Sequence, residues 1–277
     1  INYQYRYSQM QNSKNKSYYN KNHRIIKRNI EILTDTLRKA LIMRNEDDIC
    51  KSNTGQLAPS RLWKLGRTDD VRLFNKTIKS DNSEFVVDIL LDSSGSQSSR
   101  QPQVAAQGYI ISEALSNIGI PHRVMGYCTF WDYTIMRRFR EYDDDRSMNQ
   151  RLFEFSASSN NRDGLAIKAT YDSLINRQED NKILIILSDG KPNDINVNRP
   201  GTRNPKLYEG EYAIRDTAFE VRRARAFGIS VLGVFAGEDD DLVAEKKIFG
   251  KDFAYIRNIS NFSHVVGTYL RKQLDKE

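Results

Sequence analysis

The stretch Phe85-Val86-Val87-Asp88-Ile89-Leu90-Leu91-Asp92-Ser93-Ser94-Gly95-Ser96 decides how the rest of the chain is read. It opens as a nearly continuous apolar, β-branched run, the pattern of a strand buried on both faces of a parallel sheet. It closes on Asp92-x-Ser94-x-Ser96, three hard oxygen donors at the strand's carboxyl end. Open α/β sheets bind their ligands at that end of their strands. Carboxylate and hydroxyl oxygens suit Mg²⁺ or Mn²⁺, and no thiolate or imidazole stands nearby. In isolation the motif is short and common, since Asp and Ser also cap turns and helix starts. Its place after a buried strand favours the metal.

A second run answers it. Lys182-Ile183-Leu184-Ile185-Ile186-Leu187-Ser188-Asp189-Gly190 is again apolar and again ends in a carboxylate. Between the two lie a helix over about 102–118, ended by Gly119, a strand over 123–129, and a strand from Tyr133 to Phe139. The last follows so short a link that it must pair antiparallel. A helical piece over 147–155 leads through a polar loop, Ser156 to Gly164, into a helix over 165–177. Beyond Asp189 come a long Asn/Pro/Arg loop (191–208), a helix over 209–227 and a strand over 229–235. A helix over 239–249, a strand over 252–257 and a last helix capped by Ser260 complete the chain. This alternation predicts an α/β fold: a doubly wound, mostly parallel six-stranded sheet of Rossmann-like type, helices on both faces, one antiparallel edge strand.

The N-terminal part differs in composition. Residues 1–80 hold 17 Lys and Arg against 7 Asp and Glu, a net of +10, whereas the remainder holds 26 against 29, a net of −3. We read 1–80 as a basic extension and 81–277 as the sheet domain. Tyr3, Tyr5 and Tyr7 alternate as in a short strand, and the following dozen polar residues read as flexible. Ile26, Ile30, Leu33, Leu37 and Leu41 mark an amphipathic helix from about His23 to Arg44, expected to pack on the main domain. Residues 45–80 read as a connector, with Leu57, Leu62, Trp63, Leu65 and Phe74 expected to lie on the domain. The chain opens on Ile1, as a piece of a longer protein would.

Two cysteines, Cys50 and Cys128, form neither a metal spacing nor a disulfide framework, and Cys128 is expected in the core. Three isolated histidines argue against a zinc site or a histidine-based catalytic triad. No apolar run reaches the roughly 20 residues that span a bilayer. With no signal peptide visible, the composition points to a soluble chain of a reducing compartment, most simply the cytoplasm.

The paired strand-end motifs, Asp92-Ser-Ser94-Gly-Ser96 and Ser188-Asp189-Gly190, resemble those of a von Willebrand factor A (VWA) domain over residues 84–272. The resemblance implies a metal-ion-dependent adhesion site in which Ser94 and Ser96 give hydroxyls directly to a divalent metal. In that family Asp92 and Asp189 would act mainly through water. Most members offer a threonine from the intervening loop, where this chain has Asn161-Arg162-Asp163-Gly164. Asp163 either replaces that threonine with a carboxylate or caps the helix that follows. The set implied is therefore Asp92, Ser94, Ser96, Asp163 and Asp189, holding Mg²⁺ (or Mn²⁺ or Ca²⁺).

A finer resemblance rests on Asn117-Ile118-Gly119-Ile120-Pro121, Gly126-Tyr127-Cys128-Thr129, Asn161-x-Asp163-Gly164, Leu187 to Asp194 and Tyr208-Glu209-Gly210. These look like the CobT-type subunit of aerobic cobaltochelatase and the nitric-oxide-reductase activation proteins. More weakly, Gly55-x-Leu57, Arg61-Leu62 and Phe74 resemble the segment those proteins carry ahead of the A domain. Such proteins work beside a hexameric MoxR-type AAA+ ATPase and use the metal edge to hold an acidic residue of a partner. The resemblance thus implies a non-enzymatic adaptor in metal insertion or maturation of a target complex. Nucleic-acid binding through the basic extension is a second class, though no RNA-recognition motif supports it. A metal-assisted hydrolase ranks lower: only Asp163, Asp194 or Glu209 offers a base, and no His lies near the motifs.

Overall fold

The computed structural model describes residues 3–47, 49–67, 72–77, 85–131, 133–197, 206–235, 242–256 and 258–274. Its centre is a six-stranded sheet in the order β11-β10-β7-β4-β5-β6. The strands are β4 (Phe85–Asp92), β5 (His122–Phe130), β6 (Tyr133–Arg140), β7 (Asn181–Ser188), β10 (Ile229–Phe235) and β11 (Phe253–Tyr255). All neighbours pair parallel except β5 and β6, the antiparallel edge pair that the short link requires. Helices α2 (Gln101–Ile118), α3 (Asp163–Ile175), α4 (Gly210–Ala226), α5 (Leu242–Phe249) and α6 (Phe262–Leu274) cover the two faces.

Strand alternation sorts the core into two layers. Phe85, Val87, Ile89 and Leu91 of β4 join Ile183, Ile185 and Leu187 of β7 in a cluster with α2 and α6. Val86 and Leu90, with Leu184 and Ile186, face Ile167, Tyr171 and Val221 of α3 and α4. The charge within the first strand is compensated. Asp88 accepts two bonds from the Arg123 guanidinium, at 3.1 and 2.6 Å, and one from the Tyr142 hydroxyl at 2.7 Å. Gly119 ends α2 in the left-handed region, at φ 75°.

Several expectations are corrected. The alternating tyrosines form no strand, and the polar residues after them are helical: one helix, α1, runs Tyr3–Asp47. Its polar half is held by tertiary bonds that no periodicity announces. Asn15 is buried and its side-chain amide donates to the Phe153 and Phe155 carbonyls, both at 2.9 Å. The apolar stripe behaves as read, with Ile26, Leu33, Leu37 and Leu41 in the core that α2 and α6 share. Residues 49–77 carry a small sheet, β1 (Ile49–Ser52), β3 (Phe74–Thr77) and β2 (Gln56–Leu57) in that order. Leu57, Leu62, Trp63 and Leu65 stay exposed there, because the hydrogen bonds that order this segment run within it.

The long loop is ordered at both ends by an antiparallel pair, β8 (Asp194–Val197) with β9 (Lys206–Tyr208). Its residues 198–205, including Arg199 and Arg203, lie outside the described residues. The turn before α6 is capped by Asn258, whose side chain accepts the Ser260 N–H at 3.0 Å; Ser260 itself is not the cap. Cys128 is half-buried at the sheet's outer strands rather than in the core, and burial pushes its thiol up to about 11. Among the described residues no helix is long and apolar enough to cross a membrane.

Candidate metal centre

Parallel pairing places the carboxyl ends of β4, β5 and β7 side by side, so the loops that leave them share one edge. Backbone bonds stitch those loops together. Ser93 N–H donates to Tyr127 O at 2.9 Å, Ser158 N–H to Ser93 O at 2.7 Å, and Gly95 N–H to Ser159 O at 2.7 Å. The crossing is close at Gly95, where an added Cβ would stand 3.2 Å from the Ser159 carbonyl oxygen and crowd it by a few tenths of an ångström. The 156–161 loop is bridged onward to β5 at Thr129 and to the loop after β7 at Asn193.

Asp92 ends β4 with no exposed surface. Its Oδ1 accepts the Ser94 N–H at 2.8 Å, while Oδ2 is buried without a hydrogen-bond partner among the described residues. Ser94 Oγ and Ser96 Oγ lie 2.8 Å apart, with Ser94 buried and Ser96 open to solvent. Asp189 is buried directly after β7, and its Oδ1 accepts the Lys191 N–H at 3.2 Å. Asp163 opens α3. Its Oδ1 accepts the Tyr127 hydroxyl at 2.9 Å and the Asn161 amide at 2.8 Å. The N-cap position of α3 is Arg162, which makes no side-chain cap bond, and the side-chain bonds to Asp163 come from Tyr127 and Asn161.

The five residues read from the sequence thus stand on one edge, and the charges of its three aspartates act on one another. Burial first, then the charges of Asp163 and Asp189, push the Asp92 carboxyl well above the ordinary range. Burial does the same to Asp163, pushed up to about 7, with repulsion from Asp189 adding to it and the Tyr127 and Asn161 bonds opposing it. The bonds that Asp92 and Asp163 accept come from neutral donors. Among the described residues no group of three or more His, Cys, Asp and Glu is arranged to hold a metal by itself.

Two features escape a reading from motifs alone. Tyr127, inside a strand, is fully buried and reaches Asp163. Glu245 of α5 is fully buried as well, and after burial the charges of Asp163, Asp189 and Asp92 push its carboxyl up. Its signal is spacing, for Glu245, Ile248 and Phe249 fall at i, i+3 and i+4 on one helix face. Around the edge, Asp194 is buried and paired to Arg162 Nε, and the Asn160 amide donates to it at 3.3 Å. The Tyr208 hydroxyl donates to Asp216 at 2.8 Å and lies against Gly164, where a Cβ would meet Asp216 Oδ2 at 2.3 Å. The described ends of the 191–208 loop are thus anchored beside the carboxylates.

With this geometry in place, the comparisons fall into line. The vWF domain of the type V pili tip protein Mfa5 from Porphyromonas gingivalis superposes with a TM-score of 0.53 at 11% identity, over 70% of this chain and 97% of that one. The pilus adhesin SpaC from Lactobacillus rhamnosus GG gives 0.53 at 14% identity, over 72% and 31%. Likeness at that identity speaks for the fold alone, and the fold with its strand-end motifs is that of a VWA domain. Residues 73–140 match the family model described as the cobalamin biosynthesis protein CobT VWA domain. Uncharacterized protein YojO of Bacillus subtilis (strain 168) is 25% identical over 222 residues, 74% of this chain and 32% of YojO. Protein NorD of Stutzerimonas stutzeri is 26% identical over 183 residues, 65% of this chain and 25% of NorD. In fold and in these matches the chain is similar to VWA proteins of the CobT/NorD group. It spans about a third or less of the length of these curated relatives.

Proposed function

We propose that this chain is a non-enzymatic, Mg²⁺-dependent adaptor that recruits a partner protein through its metal edge. The observation that carries this reading is Asp92: an acceptor oxygen buried without a partner among the described residues, on a carboxylate pushed up by the charges of two others, in the loop that holds two serine hydroxyls 2.8 Å apart. Buried polar groups are normally satisfied, and an orphan of this kind points to an ion or water that completes it. The donor set is hard oxygen throughout and fits Mg²⁺ better than a soft metal. Ser94 and Ser96 would hold the ion directly, with Asp92, Asp163 and Asp189 supporting it. When bound, such an ion supplies an open position for a carboxylate of another chain. The likeness to the CobT/NorD group supports a MoxR-type AAA+ ATPase as co-worker and metal insertion or maturation of a target complex as the task.

A pull-down against the cognate ATPase or target tests the reading. Binding is expected to disappear with EDTA, return with Mg²⁺, and fail in the Ser94→Ala, Ser96→Ala double variant. Calorimetry should show Mg²⁺ binding weakened in that variant and in Asp163→Asn. Partner binding indifferent to EDTA would remove the metal from the mechanism and leave the fold untouched.

A further inference from the structure

The first turn of α5 holds a group that the five-residue site leaves unused. Glu245 has no exposed surface, and neither of its carboxylate oxygens has a hydrogen-bond partner among the described residues. It shares the buried face of its helix with Ile248 and Phe249, both in the apolar layer under α3 and α4. An apolar side chain is what that face requires. An unpaired carboxylate there carries a large desolvation cost that no described neighbour offsets.

The topology says where it sits. α5 follows β10 and packs against it. β10 pairs with β7 as far as Phe235 opposite Ser188, the residue before Asp189. The strand end that leads into α5 is therefore the neighbour of the strand end that carries Asp189. In keeping with that neighbourhood, burial first and then the charges of Asp163, Asp189 and Asp92 push the Glu245 carboxyl up.

We propose that Glu245 is a further acidic residue of the metal centre, sharing the charge of a divalent cation held by Asp92, Ser94 and Ser96 and fastening α5 to the occupied site. The inference rests on the metal reading above and extends it to a helix outside the strand-end motifs. A fourth carboxylate strengthens cation binding and, in the same stroke, destabilises the protein when the cation is removed. Those two effects have opposite signs for one substitution, which a merely structural acid would not produce.

The test compares wild type, Glu245→Gln and the Ser94→Ala, Ser96→Ala double variant, by Mg²⁺ calorimetry and by thermal unfolding with Mg²⁺ or EDTA. Gln keeps the shape and removes the charge. Mg²⁺ affinity should fall by about three- to tenfold in Glu245→Gln. Its Tm in EDTA should rise above wild type, and the Tm gain on adding Mg²⁺ should shrink. Affinity and Mg²⁺-induced gain equal to wild type would make Glu245 a buried acid without a part in metal binding and overturn the proposal. Should Glu245→Gln not fold, hydrogen exchange on the wild type replaces it: amides of 242–249 must gain protection on Mg²⁺ addition, and unchanged exchange there overturns the proposal. A wild type that ignores Mg²⁺ removes the metal reading and this inference together. Binding lost in the double serine variant but intact in Glu245→Gln removes this inference alone.

Discussion

Two aspartates four positions apart on β4 meet opposite surroundings. Asp88 is paired to Arg123 and Tyr142, and both of its oxygens are used. Asp92 has one oxygen used and one left over. The first is a closed structural pair, and the second has capacity to spare. His122 shows how a titratable group is settled inside the core. Its Nδ1 lies 2.9 Å from the Ile120 carbonyl, which can only accept, and its Nε2 lies 2.8 Å from Ser112 Oγ. The Ser112 hydroxyl donates to Asn149 Oδ1 at 2.8 Å, an oxygen that also accepts from Arg140 at 2.9 Å. Burial, with Arg140 adding to it, pushes His122 down to about 4. The folded value lies below the unfolded one, so the stability from this group is complete above about pH 6.5 and is lost as pH falls towards 4. In urea unfolding, the advantage of wild type over His122→Gln should shrink by roughly 3 kcal/mol between pH 7 and pH 4. A pH-independent difference would contradict the neutral assignment.

Elements here are placed by close approaches as much as by propensity. β10 runs under α5 at Gly233, where an added Cβ would stand 2.5 Å from the Phe249 ring. That ring is buried and belongs to the layer shared with α3 and α4, so it has no free direction in which to move. Gly233→Ala should therefore cost about 1–3 kcal/mol, read as a lower urea midpoint with unchanged slope. Gly228, whose Cβ would meet nothing within 4 Å, tests the other effect of glycine, since its φ of 81° alone makes Ala unfavourable there. The two ends of the loop 191–208 make the same point. Length and composition mark it as a surface excursion, whereas Asp194 and Tyr208 fix its ends through Arg162, Asn160 and Asp216.

At the scale of the molecule, α1 is a structural member of the sheet's helical layer. Ile26, Leu33, Leu37 and Leu41 share one apolar cluster with β4, α2 and α6. Asn29 adds a polar clasp to α6, accepting the Ser263 N–H at 3.0 Å while its carbonyl accepts the Ser263 hydroxyl at 2.6 Å. Leu33 is fully buried and its Cδ1 lies 3.3 Å from the Cβ position of Gly267. Leu33→Ala should cost about 2–5 kcal/mol, as for a core leucine anywhere in the domain. A cost below about 1 kcal/mol, the range of surface substitutions, would show α1 to be separable.

The sequence by itself determined the sheet, its order of strands and helices, and the edge on which the carboxylates meet. Each rests on local rules: apolar runs such as 183–187 must be buried, a link as short as 131–132 must turn back, and Gly119 must stop its helix. The stripe from Ile26 to Leu41 likewise told where half of α1 packs. Only the tertiary structure decided the other half, because Asn15 and Gln11 read as solvent-loving until both are seen buried, Asn15 bonded to the Phe153 and Phe155 carbonyls and Gln11 to Asn15. It also showed that the Asp163 carboxylate accepts from Tyr127 and Asn161, contacts that position in the sequence alone does not announce. Glu245 is the clearest case. A charge in an amphipathic helix is assigned to water by default, and only the packing of α5 on β10 shows it buried.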